Sequence, residues 1–131
     1  MKQNIKYRAW LKNEEEMCEV IGFNFIYETV TAICKDRSTI YMSGEQPLMH
    51  KIFKFDKVEL MQFTGLVDSK GVDIFEGDIL QTRDGLMVVE YNQDRFECID
   101  SNDNNFRLYD YIYFGFTKVI GNIYENQDLI K

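Results

Sequence analysis

Along most of this chain, apolar and polar residues exchange places every second position. Ile5, Tyr7 and Ala9 alternate with Lys6, Arg8 and Trp10, the period of a strand with one face in a core. The tetrad Asn13-Glu14-Glu15-Glu16 then turns the chain. Met17, Glu19 and Ile21 against Cys18, Val20 and Gly22 predict a second strand, and Asn24 to Ile33, rich in β-branched and aromatic residues, predicts a third with a kink at Asn24. After a polar Lys35-Asp36-Arg37 turn, Ser38 to Met42 reads as a fourth. Ser43-Gly44-Glu45-Gln46-Pro47 holds the only proline and reads as a linker. Ile52 to Phe55 and Val58 to Thr64 read as extended, separated by Asp56-Lys57.

The second half is punctuated more clearly. Asp68-Ser69-Lys70-Gly71 fits a β-turn, with aspartate first and glycine last. Arg83-Asp84-Gly85 is a hairpin signal between Asp78 to Thr82 and Leu86 to Tyr91. Asn92-Gln93-Asp94-Arg95 turns into Phe96 to Ile99, and the loop Asp100 to Asn105 leads to an aromatic strand, Phe106 to Phe116. Val119 to Tyr124 closes the series, with a terminal turn at Asp128 to Lys131. Gly65, Gly77 and Gly121 mark strand ends, bends or close backbone approaches. No stretch sustains a helical period over three turns, so a mainly β chain forming a small antiparallel barrel or sandwich is expected.

Three segments carry a resemblance. They are Lys6-Tyr7-Arg8-Ala9-Trp10, the run from Leu60-Met61-Gln62-Phe63-Thr64-Gly65-Leu66 through Phe75-Glu76-Gly77-Asp78 to Leu80, and Val119-Ile120-Gly121-Asn122-Ile123-Tyr124-Glu125-Asn126. Together they resemble the YopX family of phage and prophage proteins and frame nearly the whole chain, with a poorly matched stretch between about Gly22 and Asp56. Leu11 and Gln127 depart from the family pattern, at positions read as solvent-side or turn. The resemblance implies a mostly β, self-associating protein encoded on a phage or prophage, with no catalytic residues to carry over. Together with the turn spacing it leads us to expect a bent SH3-like, YopX-like barrel over residues 58–131 and an amino-terminal β extension over 1–57.

Length and composition are compatible. The 131 residues with 45% hydrophobic content suffice for a packed core. Cys18, Cys34 and Cys98 are odd in number and widely spaced, which reads as free thiols in a bacterial cytoplasm. No apolar run reaches the length of a membrane span, and none near Met1 suits a signal peptide. The net charge of −7 is unevenly placed: residues 1–58 hold nine Lys+Arg and eight Asp+Glu, and residues 59–131 hold six and fourteen. An acidic second half repels phosphate backbones.

Candidate chemistry is sparse. Asp68, Asp73, Glu76 and Asp78 are close enough in sequence to bind a divalent cation or act as an acid/base pair. A structural reading is stronger, with Asp68 in a turn and Asp78 capping amides at the Gly77 bend. Asp100-Ser101-Asn102-Asp103-Asn104 begins like a calcium loop but has Asn105 in place of the required glycine and Tyr111 in place of the closing glutamate. His50 is the lone histidine and reads as structural. The cysteines lack CxxC spacing, so neither zinc nor a thiol nucleophile is supported. Tyr109, Tyr111 and Tyr113 would share one face of a strand and form core or a protein interface. No catalytic, cofactor-binding or metal-binding residue is expected, and the chain is expected not to be an enzyme. A self-associating or host- or phage-protein-binding module is expected. The alternative is a single-stranded DNA or RNA binder using Lys6, Arg8, Trp10 and Lys12.

Overall fold

The computed structural model of the chain describes residues 5–36 and 38–130. Arg37 and Lys131, parts of two expected turns, lie outside these. Eleven strands, a single α-helix and two 3-10 turns follow one another among the described residues. The described residues group into two units, Lys6–Met61 and Gln62 to Ile130 together with Ile5. The division falls within one strand, β5 (Val58–Val67).

The first unit contains β1 (Tyr7–Leu11), β2 (Glu16–Asn24), β3 (Thr29–Lys35), β4 (Leu48–Lys54) and the start of β5 (Val58–Val67), in the sheet order β4-β3-β2-β1-β5. Its strand pairs β1–β2, β2–β3 and β3–β4 are antiparallel. Period-two alternation sends Ala9, Leu11, Cys18, Val30, Ala32 and Cys34 to one face, where Val58 joins them and Phe53 and Phe55 pack alongside. Leu11, expected on the solvent side, is wholly buried. It follows Ala9 by two residues, so the pleat turns it inward.

Two expectations are corrected here. The strand expected from Asn24 to Ile33 holds only from Thr29, where β3 begins; Asn24 ends β2, and its Oδ1 accepts the amides of Ile26 and Tyr27 and closes a hairpin turn. Ser38 to Met42 is loop, stitched by backbone bonds from Tyr41 N to Glu45 O at 2.7 Å and from Gly44 N to Tyr41 O at 2.8 Å.

In the second unit the rest of β5 pairs with β6 (Asp73–Phe75). A five-stranded sheet follows, made of β7 (Asp78–Thr82), β8 (Gly85–Asn92), β9 (Arg95–Ile99), β10 (Asn105–Arg107) and β11 (Lys118–Asn122) in the order β10-β9-β8-β7-β11. One face carries Leu80, Met87, Val89 and Cys98, packed with Ile74, Leu108 and Tyr111. Both β-hairpin turns are tight: Arg83-Asp84 joins β7 to β8, and Gln93-Asp94 joins β8 to β9. Neither sheet closes on itself, so the expected small barrel is not found among the described residues; the strands are mainly antiparallel β in open sheets.

The expected aromatic strand Phe106 to Phe116 is also corrected. Its middle is a helix, α1 (Leu108–Phe114). Leu108, Tyr111 and Ile112 lie at i, i+3 and i+4 and pack into the core, while Tyr109 and Tyr113 are exposed. Aromatic residues fit either state, and burial of the helical trio decides between them.

Candidate functional site

Three of the four carboxylates read as candidate chemistry, Asp68, Glu76 and Asp78, bind backbone amides. Asp68 is buried, and its Oδ1 accepts the amides of Lys70 and Val72 at 2.8 and 2.9 Å while Oδ2 accepts that of Val119 at 3.0 Å. The turn is closed by Gly71 N to Asp68 O, with Gly71 at φ 83°. Asp78 is buried and its Oδ2 accepts the Phe75 amide at 2.8 Å, across the bend where Gly77 takes φ 82°. Glu76 is bound twice to one residue: its Oε1 accepts the Gln62 amide and its own amide donates to the Gln62 carbonyl, both at 2.9 Å. Asp73 lies in β6 opposite Val67. The Glu76–Gln62 and Asp78–Phe75 bonds tie β5, β6 and β7 together.

The closing segment is built on the same logic. Asn122 Oδ1 accepts the amides of Tyr124 and Glu125, and Asn126 Oδ1 accepts the amide of Asn122. Gly121 sits at a bulge in the β7–β11 pairing, and a Cβ there would lie 2.6 Å from Asn126 Cγ. The glycine is required by the asparagine.

Other candidates are placed as follows. Asp100 Oδ1 accepts the amides of Asn102 and Asn104, each at 2.9 Å, so this carboxylate organises its own loop. His50 is exposed on β4 opposite Ile33. The three cysteines are free and buried, and burial pushes their thiols up, Cys98 to about 12. Among the described residues no group of three or more His, Cys, Asp or Glu side chains is placed to hold a metal ion.

Tyr109, Tyr111 and Tyr113 do not share a face. Tyr109 and Tyr113 stack on the exposed side of α1 with centroids 5.8 Å apart. Tyr111 points inward, donating its hydroxyl to Asp84 Oδ2 at 2.7 Å. Burial and that carboxylate push its phenol up to about 12.

The row Lys6, Arg8, Trp10, Lys12 alternates with buried Ala9 and Leu11 and so shares one face at β1. Acids break it up. Lys12 pairs with Glu59 at 3.3 Å and donates to the Asp56 carbonyl, and Arg8 lies opposite Glu19 in the β1–β2 register. Both partners of the Lys12 pair are nearly half exposed, so it adds at most about 1 kcal/mol of stability. Its larger effect is to cancel charge that a phosphate would need.

The feature that sequence reading missed is the tip of the β2–β3 hairpin. Phe25, Ile26 and Tyr27 are 78%, 87% and 67% exposed, in sequence, on a turn held by Asn24 and by Glu28 at φ 54°. Phe25 stacks on Phe23 at 5.8 Å and meets Phe55 edge-on at 6.1 Å. An asparagine two and three residues ahead of the amides it caps was the available signal.

Among curated proteins none matches this chain. Among solved structures, protein EF1440 from Enterococcus faecalis is similar over 99% of this chain and 100% of its own, with 28% identity and a TM-score of 0.67. Protein yopX from Bacillus subtilis is similar over 96% and 98%, with 16% identity and a TM-score of 0.56, a likeness of fold. The family model described as YopX protein matches residues 6–131. A match of that extent, over the same motifs whose glycines, aspartates and asparagines have just been given structural roles, means that this chain belongs to the YopX family.

Proposed function

We propose that the protein is a non-enzymatic β module, encoded on a phage or prophage and acting in the bacterial cytoplasm, that works by binding protein, with self-association as its first form. The observation that carries this reading is the exposed hairpin tip Phe25-Ile26-Tyr27. A contiguous apolar surface on an ordered turn marks a contact site, where scattered exposed residues would not. If the tip leaves roughly 300–400 Å² of apolar surface in water, covering it is worth about 8–10 kcal/mol. Association itself costs about 4–15 kcal/mol. A contact through the tip alone is therefore weak and concentration-dependent. Edge strand β4, with Ile52 70% exposed, offers backbone pairing groups that would extend it.

The buried, amide-bound state of Asp68 and Asp78 supports the non-enzymatic part, since both are occupied by the backbone. Nucleic-acid binding is the weaker reading, because Glu59 and Glu19 interrupt the basic row at β1.

Sedimentation of the protein over a range of concentrations tests the proposal. The expected result is a species larger than the 15.6 kDa chain that disperses on Ile26→Asp, a substitution at an 87% exposed side chain that leaves the fold intact. A 15.6 kDa species at every concentration, unchanged by that substitution, would count against self-association.

A further inference from the structure

The second face of the five-stranded sheet carries a hollow of about 630 Å³. Leu86 and Val88 alternate along β8 with the core residues Met87 and Val89, and Ile99 of β9 lies directly opposite Val88. These three side chains are only partly covered and form the apolar floor. Leu129 and Ile130, on the 3-10 turn Gln127–Ile130, line it as well and remain 37% and 44% exposed.

Three carboxylates stand around this floor: Glu90, Asp100 and Asp103. Among the described residues, no lysine or arginine lines the hollow. Asp100 is held ionised by the amides of Asn104 and Asn102, so its charge is fixed in place. The volume falls within the roughly 300–1,000 Å³ of ordinary ligand pockets. Its composition is apolar inside and negative at the edge, and recognition follows complementary charge.

We propose that this hollow docks a short segment of a partner protein in which one or two large apolar side chains are flanked by lysine or arginine. The apolar side chains cover Leu86, Val88 and Ile99, and the cations meet Glu90 and Asp103. Polyanions are refused by the same carboxylates. This surface is distinct from the hairpin tip, and the inference stands whether or not the protein self-associates.

The test uses the whole chain and a short fluorescent peptide of alternating lysine and leucine, titrated at low salt. Saturable binding is expected, weakening as salt rises. Glu90→Gln with Asp103→Asn should weaken it about tenfold, the effect of two exposed ion pairs. Both residues are exposed, so the variant should melt like the parent. As a control, Asp94→Asn with Asp110→Asn removes two exposed carboxylates elsewhere in the same half and should leave affinity unchanged. Amide resonances of Leu86, Val88 and Ile99 should shift on binding. Equal loss in the control variant, or equal binding of a lysine-serine peptide, would reduce the effect to general charge and overturn the proposal. Shifts of the same amides on concentrating the protein alone would assign the hollow to a second copy, and would overturn the partner assignment equally.

Discussion

The Asp68 carboxylate accepts the amide of Val119 at 3.0 Å, joining a four-residue turn to a strand 51 positions further along the chain. With its other oxygen it closes the turn onto Lys70 and Val72. One buried side chain thus fixes both the β5–β6 connection and the entry to β11. Burial alone would raise its pKa, but the three amides outweigh that and hold it below the ordinary carboxylate value.

Replacing Asp68 with Ala should therefore cost about 3 kcal/mol near neutral pH, since charge-assisted bonds to buried amides are worth more than neutral ones. A depressed folded pKa places this contribution above the unfolded value of about 3.9, and it fades as pH falls through the folded one. Urea midpoints of parent and variant should converge in acid. A gap that stays constant down to pH 3 would show that the ionised carboxylate is not responsible.

At the neighbouring bend, Asp78→Ala should cost roughly 1–3 kcal/mol by freeing the Phe75 amide. Gly77→Val should cost more, because φ of 82° is a steric outlier for a β-branched residue. The opposite outcome is recognisable. An unchanged melting temperature in Asp78→Ala, with saturable Mg²⁺ or Mn²⁺ binding by the parent that the variant loses, would establish a metal site.

Gly121 and Asn126 should be coupled. Gly121→Ala forces the Asn126 side chain away from the Asn122 amide and should cost about 1–2 kcal/mol. In an Asn126→Ala background the same glycine change should cost much less, so a double-mutant cycle reads the interaction directly. Additive effects would break the link.

The Cys98 thiol gives an alkaline limit. Its pKa is raised by burial from 9.0 to about 12, with the Glu97 carboxylate adding to the shift. A thiol that stays protonated when folded but ionises when unfolded contributes stability below pH 9 that is lost as pH climbs towards 12. Cys98→Ala should flatten stability over that window, and the parent should react with thiol reagents only as fast as it opens. Rapid labelling of Cys98 in the native protein at pH 8 would contradict its burial.

Much of the strand content was legible because strands record their exposure at period two. Tyr7–Leu11, Asp78–Thr82 and Gly85–Asn92 all follow patterns visible in the chain, and Asp68-Ser69-Lys70-Gly71 announced its turn through residues whose local chemistry is self-contained. The placement of Asp78 at a glycine bend was readable for the same reason. Local propensities and side-chain-to-backbone caps act over a few residues, so sequence alone carries them.

Only the tertiary structure decided the rest. Tyr109-Asp110-Tyr111-Ile112-Tyr113 alternates as a strand would, yet the segment is helical because Leu108, Tyr111 and Ile112 meet the core together at helical spacing. Phe25-Ile26-Tyr27 has the composition of a buried strand and lies in solvent, since Asn24 turns the chain before those residues can pair. Leu11 looked surface-facing and is buried. The reach of Asp68 to Val119, and the meeting of Glu90 with Asp103 around one apolar floor, depend on which strands adjoin. Such contacts draw their free energy from groups distant in sequence, and no local pattern records them.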